Sequence, residues 1–97
     1  MSEDCYEYFA LDNPTTIYRE DLTIDYCLNW CKQSHYGLAA ISNGDMCGCT
    51  NAPINFYKEV GKSKCNSECL GQANTTGLCG GSRQWTIYVL ETEIAND

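Results

Sequence analysis

The chain is poor in the residues that most catalytic and nucleic-acid-binding proteins rely on. It has one histidine, His35, and only 6 Lys and Arg against 13 Asp and Glu, a formal net charge of −7. An acidic domain repels phosphate backbones, so nucleic acid is excluded as a natural partner. Anionic membrane surfaces are disfavoured for the same reason. No apolar run approaches the length of a membrane span, and no stretch resembles a signal peptide. The lone histidine falls at a predicted helix end, where a surface or capping role is the ordinary explanation. Cysteine–histidine catalysis is not expected if the thiols are oxidised. The acids sit in charge-rich stretches without the burial that perturbs a catalytic carboxylate. Catalysis by paired carboxylates on a glycan is therefore not expected either.

What the chain does have is cysteine: 8 in 97 residues. That length makes one small domain, short of core and in need of covalent staples. The density belongs to disulfide scaffolds of oxidising compartments. Secretion then has to be reconciled with the missing leader. The reading that does so is an ectodomain, with Met1 an expression start, a signal peptide removed upstream and any membrane anchor downstream. Asn74-Thr75-Thr76 is an N-glycosylation sequon that suits a surface loop.

The acids are front-loaded: Glu3, Asp4, Glu7, Asp12, Glu20, Asp21 and Asp25 face a single cation, Arg19. Lys58, Lys62 and Lys64 form a weak basic patch later.

The stretch from Thr23 to Cys49 organises the rest. Ile24, Cys27, Leu28 and Cys31 occupy the i, i+3, i+4 and i+7 positions of one helical face. Thr23 is the predicted N-cap, with Asp25 in the favourable first turn. The helix should end near Gln33–His35, and Gly37 lies a residue or two late for a C-cap. Leu38 to Ile41 is a short apolar run, Ser42-Asn43-Gly44-Asp45 a turn, and Cys47-Gly48-Cys49 an extended pair. Four residues of helix and two of strand both advance about 6 Å. Cys27 and Cys31 are thus matched to Cys47 and Cys49, and spacing alone leaves open which joins which. A four-cysteine zinc site is the alternative, and the oxidising compartment weighs against it.

Elsewhere, Cys5 to Leu11 reads as a strand, Asp12-Asn13-Pro14 as a turn, and Ile17-Tyr18 as a second extended piece. Residues 50–64 read as a loop with one helical turn. Cys69 and Cys79 pair across a Gly-rich loop, leaving Cys5 for Cys65. Trp85 to Leu90 is the strongest strand signal, with Trp85, Ile87 and Val89 on one face and Tyr88 and Leu90 on the other. Residues 1–4 and 91–97 read as disordered or frayed ends around a domain at 5–90.

The cysteine frame resembles a WSC domain, the cysteine-rich extracellular module of fungal cell-wall stress sensors. The residues that carry the likeness are Cys5-Tyr6, Leu22 to Cys27 with Cys31, Tyr36 to Ala40, Cys47-x-Cys49, Cys65 and Cys69 with Gly71, Cys79-Gly80-Gly81, and Ile87-Tyr88. The resemblance spans about residues 5–90. The chain departs from it at Gly48 and Thr50, where the family usually has an aromatic and a glycine. The resemblance implies a PAN/apple-like α+β fold, one main helix on a small antiparallel sheet. It also implies the disulfides 5–65, 27–47, 31–49 and 69–79. For function it implies a carbohydrate-binding module facing the cell wall, on a single-pass plasma-membrane sensor.

Glycan binding also has a warrant in the residues themselves. Seven tyrosines, two tryptophans and two phenylalanines are more than so small a domain can bury. A flat ring offers an apolar platform to a pyranose, and neighbouring Asn, Gln and acid groups bond its hydroxyls. The platform candidates are Tyr26 with Trp30, Phe56 with Tyr57, and Trp85, followed by Tyr8, Phe9 and Tyr18. Tyr26 and Trp30 are four apart, hence neighbours at the edge of the core, unless both pack under the N-terminal segment. Tyr6 and Tyr88 read as structural. The expected ligand is wall polysaccharide of the β-1,3-glucan type, held weakly at about −4 kcal/mol. No cofactor or metal is called for. The alternative is a module for homotypic clustering or protein contact, since exposed aromatics also mark interfaces.

Overall fold

A computed structural model describes residues 5–7, 15–51 and 58–90. In chain order they form β1 (Cys5–Tyr6), β2 (Thr15–Tyr18), α1 (Ile24–Gln33), β3 (Leu38–Ser42), β4 (Met46–Thr50), β5 (Glu59–Val60), a 3-10 turn (Lys62–Lys64) and β6 (Trp85–Val89). The strands make one sheet in the order β2-β4-β3-β6-β1-β5, with every pairing antiparallel. This is the expected small α+β fold of one helix on an antiparallel sheet, stapled by four disulfides.

The helix begins and ends where local chemistry says it should. Thr23 is extended, and its Oγ1 accepts from the Tyr26 N–H at 3.0 Å. Such a cap is worth about 1 kcal/mol. Asp25 stands in the first turn and Lys32 in the last, both matched to the helix dipole. The C-terminus does not wait for Gly37. His35 takes the left-handed conformation instead, at φ 68°. Its N–H reaches the Lys32 carbonyl, and the Tyr36 N–H reaches that of Cys31, both at 3.0 Å. These two bonds close a Schellman turn around a non-glycine residue, so the lone histidine has a capping role.

The expected disulfide geometry holds. Cys27 pairs with Cys47 and Cys31 with Cys49, at Cα separations of 5.6 and 5.4 Å. The bridges run side by side from the inner face of α1 to β4. Cys5–Cys65 ties β1 to the second half of the chain, and Cys69–Cys79 closes the Gly-rich loop.

β3 is central, flanked by β4 and β6, and all five of its residues are buried. Its alternation divides the core. Ala39 and Ile41 face the helix with Leu22, Cys27, Cys31, Cys47, Cys49 and Tyr88. Leu38 and Ala40 face the other way with Tyr6 and Ile87, and Trp85 packs against them. Leu22, Ile41 and Ile87 are 0% exposed. Each contributes about 1.5–3 kcal/mol of burial. The alternation expected of β6 is observed, with Ile87 and Tyr88 in different clusters.

Two expectations need adjustment. Glu59–Val60 lies in the stretch read as a loop, yet it pairs with β1. A two-residue strand has no alternation to read, and Cys5–Cys65 holds it in place from outside. Among the described residues, the first strand covers Cys5–Tyr6 and gives way to a bend at Glu7, and the rest of the stretch read as a strand, 8–11, lies outside the described residues. Residues 8–14 lie outside the described part, as do 1–4, 52–57 and 91–97.

Candidate functional site on the outer face of the helix

With Cys27 and Cys31 turned inward, the opposite side of α1 is left to polar and aromatic residues. Tyr26, Asn29, Trp30 and Gln33 fall within an arc of about 100° at 3.6 residues per turn. They line a cleft of about 220 Å3. Trp30 is half-buried and packs against the edge of the helix-side core. Tyr26 is 38% exposed. The two aromatics are therefore neighbours on a partly open surface. The side chains of Asn29 and Gln33 are exposed and make no hydrogen bond among the described residues. Their amides can donate and accept at the cleft.

Arg19 fixes one wall. It follows β2, and its backbone N–H is anchored to the Asp45 carbonyl at 2.9 Å. Its guanidinium lies 4.4 Å from the centre of the Tyr26 ring, and Nη1 donates to the Tyr26 hydroxyl at 3.3 Å. Nε and Nη2 grip both oxygens of Asp21 at 2.9 and 3.1 Å. The hydrogen bond from Arg19 holds the Asp21 carboxyl below the usual carboxylate range. Hydrogen bonding and attraction from Asp21 likewise raise the affinity of Arg19 for its proton. The cation is thus matched by its own carboxylate, and the cleft presents rings and amides rather than a bare charge.

The other candidates are dispersed. Trp85 lies on the far side of the sheet from α1, packed on the cluster of Tyr6, Leu38, Ala40 and Ile87. Tyr18 is 68% exposed on that far side as well, because its neighbour Ile17 packs toward the helix. Phe56, Tyr57, Tyr8 and Phe9 lie outside the described residues. Tyr6 and Tyr88 are buried, at 8% and 2% exposure, as structural residues would be. Asn74 is exposed in a turn at φ 61°, its N–H bonded to the Glu68 carboxylate, while Thr75 beside it is buried. The sulfurs of Cys27, Cys31 and Cys47 lie within 4.8 Å of one another, but all are taken by disulfides.

Arg19, Asp21, Asn29 and Gln33 were not singled out from sequence. A signal existed for three of the four. Arg19 is the one cation among the early acids, and Asn29 and Gln33 stand three residues beyond Tyr26 and Trp30, on the same helical face.

Fold and surface together define a small disulfide-stapled module whose helix, locked from within, presents aromatic and amide groups outward. The chain belongs to the WSC domain family, whose model matches residues 3–81. It is an extracellular cysteine-rich module. It is 36% identical to Kremen protein 1 of Homo sapiens over 68 residues, which are 69% of this chain and 14% of that protein. It is 38% identical to xylosyltransferase oxt of Drosophila melanogaster over 69 residues, 71% of this chain and 7% of that enzyme. Kremen protein 1 of Xenopus laevis is 37% identical over 67 residues, 68% of this chain and 14% of that protein. The chain thus matches only a small part of each of these proteins. Among the described residues no helix is long and apolar enough to cross a membrane.

Proposed function

We propose that this domain is a glycan-binding module of a cell-surface protein, and that the outer face of α1 is where it binds. One observation carries this reading. Tyr26 and Trp30 share a cleft with Asn29 and Gln33, whose amides make no hydrogen bond among the described residues. A pyranose ring laid on the aromatics would meet amide donors and acceptors at its edge. The internal pairing of Arg19 with Asp21 favours a neutral sugar, and a β-1,3-glucan is the first candidate. The shallow cleft implies weak binding, with about −4 kcal/mol corresponding to a millimolar Kd. Repeated units along a polymer, or clustered copies of the module, would raise the effective affinity. The reading is of a binder rather than a catalyst.

The family likeness suggests a wall-facing stress sensor of a fungal plasma membrane as the setting. The relatives named above are animal proteins, and the glycan reading does not depend on the fungal setting. A second reading rests on different residues. Tyr18, Leu70 and Val89 are exposed away from the cleft, at 68%, 59% and 49%. Such exposed side chains would serve homotypic clustering or a protein contact where they join into one patch.

The test is retention of the oxidised domain on insoluble β-1,3-glucan, with mannan and chitin as controls, beside a Tyr26→Ala/Trp30→Ala variant. Selective retention lost in the variant is the expected result. Retention unchanged in a folded variant would remove this face from the site. No retention on any polymer, with concentration-dependent sedimentation, would favour clustering.

A further inference from the structure

The domain has a second concavity, at the end of the sheet remote in sequence from α1. It is a groove of about 460 Å3, with Lys62, Ser63, Asn66 and Thr76 among its lining residues and the Cys5–Cys65 disulfide behind them. Its framework is braced by backbone hydrogen bonds. Lys62–Lys64 is a 3-10 turn, held by bonds from Lys64 N–H to Gly61 and from Cys65 N–H to Lys62, at 3.0 and 3.1 Å. Gly77 on the opposite wall donates its N–H to Ser67 at 3.2 Å. The side chains of Ser63, Asn66 and Thr76 make no hydrogen bond within the described residues.

Charge distinguishes this region from the rest of the chain. The whole carries −7, yet residues 58–83 hold Lys58, Lys62, Lys64 and Arg83 against only Glu59 and Glu68. Lys58 is within 4.0 Å of Glu7. Among the described residues Lys62, Lys64 and Arg83 have no ion-pair partner. The segment carrying Arg83 lies against the 3-10 turn, so closely that a Cβ on Gly81 would sit 2.2 Å from the Lys64 carbonyl oxygen. Lys62 therefore lines a groove whose hydroxyl and amide groups make no hydrogen bond among the described residues, and Lys64 and Arg83 lie on the segments that adjoin it.

We propose that this groove is a second sugar site, for a uronic acid unit of an acidic polysaccharide. Lys62 would take the carboxylate, while Ser63, Asn66 and Thr76 exchange hydrogen bonds with ring hydroxyls. Lys64 and Arg83 would meet the carboxylates of neighbouring units. One ammonium in the groove with neutral partners around it suits one carboxylate per sugar better than a densely sulfated chain. This site is independent of the helix cleft, whose lining of Tyr26, Asn29, Trp30 and Gln33 carries no cation and suits neutral sugar.

The experiment is affinity electrophoresis of the oxidised domain in gels containing polygalacturonate, with dextran, heparin and polyglutamate in parallel gels. Polygalacturonate should retard the domain and dextran should not. Retardation should fade between about 0.01 and 0.15 M salt, as the screening length falls from about 30 to 8 Å. Lys62→Ala/Lys64→Ala/Arg83→Ala should weaken binding about tenfold, roughly 1.4 kcal/mol. Lys32→Ala, which removes a cation on α1, should leave it unchanged. Tyr26→Ala/Trp30→Ala should also bind polygalacturonate normally, so the two sites fail separately. The proposal is overturned if polygalacturonate does not retard the domain, or if the triple variant with its disulfides intact binds as the parent does. Equal retardation by polyglutamate, or retardation by heparin alone, would also overturn it, the first by showing attraction to any polyanion.

Discussion

Replacing Gly80 with alanine should nearly unfold the domain, although it adds one methyl group. Gly80 sits at φ 78°, and an added Cβ would lie 2.3 Å from the Ile41 carbonyl oxygen, 2.5 Å from Ser42 Cα and 2.8 Å from the Gln84 carbonyl oxygen. All three are backbone atoms, and two belong to the central strand β3, which cannot step aside without disturbing β4 and β6. The glycine is also fastened on both sides. Its N–H donates to Thr86 Oγ1 at 2.9 Å, and its carbonyl accepts from Ser67 N–H at 2.8 Å. The left-handed backbone costs an alanine about 1–2 kcal/mol. Forced overpacking adds about 1–3 kcal/mol. The total of about 2–5 kcal/mol is a large part of the roughly 5–15 kcal/mol that holds a domain together. Urea denaturation of the oxidised protein reads this directly, as a midpoint lowered by at least ~1 M at an ordinary slope. Gly61→Ala is the control. At φ −62° with only Ser63 Oγ at 3.9 Å from an added Cβ, it should stay within about 0.5 kcal/mol of the parent. A Gly80→Ala variant within about 1 kcal/mol of the parent would refute the packing argument.

Two further outcomes follow from the staples and the charge pair. In the chain-entropy model, removing Cys31–Cys49 as a serine pair should cost about 3 kcal/mol and removing Cys5–Cys65 about 4, because the second closes the longer loop. Their sequence separations are 18 and 60. Denaturation of the two double variants checks the order. The Asp21 carboxyl, held low by the Arg19 hydrogen bond, should return to the ordinary range in Arg19→Ala, as followed by carboxyl NMR against pH. Because the folded value is the lower one, the pair's contribution to stability is present above about pH 4. It is lost as pH falls through the folded value, and Arg19→Ala should flatten that part of the profile.

The parts of the fold that were legible in the sequence are those fixed by short-range geometry. Cys27 and Cys31 one helical turn apart, and Cys47 and Cys49 on one side of a strand, were matched for two side-by-side bridges, while the family resemblance supplied which joins which. β6 was legible because Trp85 to Val89 has no breaker and alternates cleanly. What could not be read depends on neighbours distant in sequence. β5 is a strand only because β1 and Cys65 lie beside it. The alternation of β6 put Trp85 on the face of Ile87, but nothing local said that α1 covers the other face. The sheet therefore separates Trp85 from Tyr26 and Trp30. The Cys79-Gly80-Gly81 run was recognisable as a pattern. Its physical reason appears only when Gly80 meets β3 and Gly81 meets Lys64.

The disulfides also explain why the binding face can be where it is. Isolated helices shorter than about 12–15 residues are marginal in water and need an apolar face packed on a core. α1 has ten residues, and its fully buried ones are the cysteines Cys27 and Cys31. Ile24, Leu28 and Trp30 pack only partly. Two covalent links to β4, together with the Thr23 cap and the His35 turn, do what a wider apolar stripe would otherwise do. On the outer arc Trp30 alone packs against the core, so Asn29, Gln33 and an exposed Tyr26 can stand there at little cost in stability. On this argument, substitutions of Tyr26, Asn29 or Gln33 should alter binding while barely moving the unfolding midpoint, whereas substitutions on the inner arc should do the reverse.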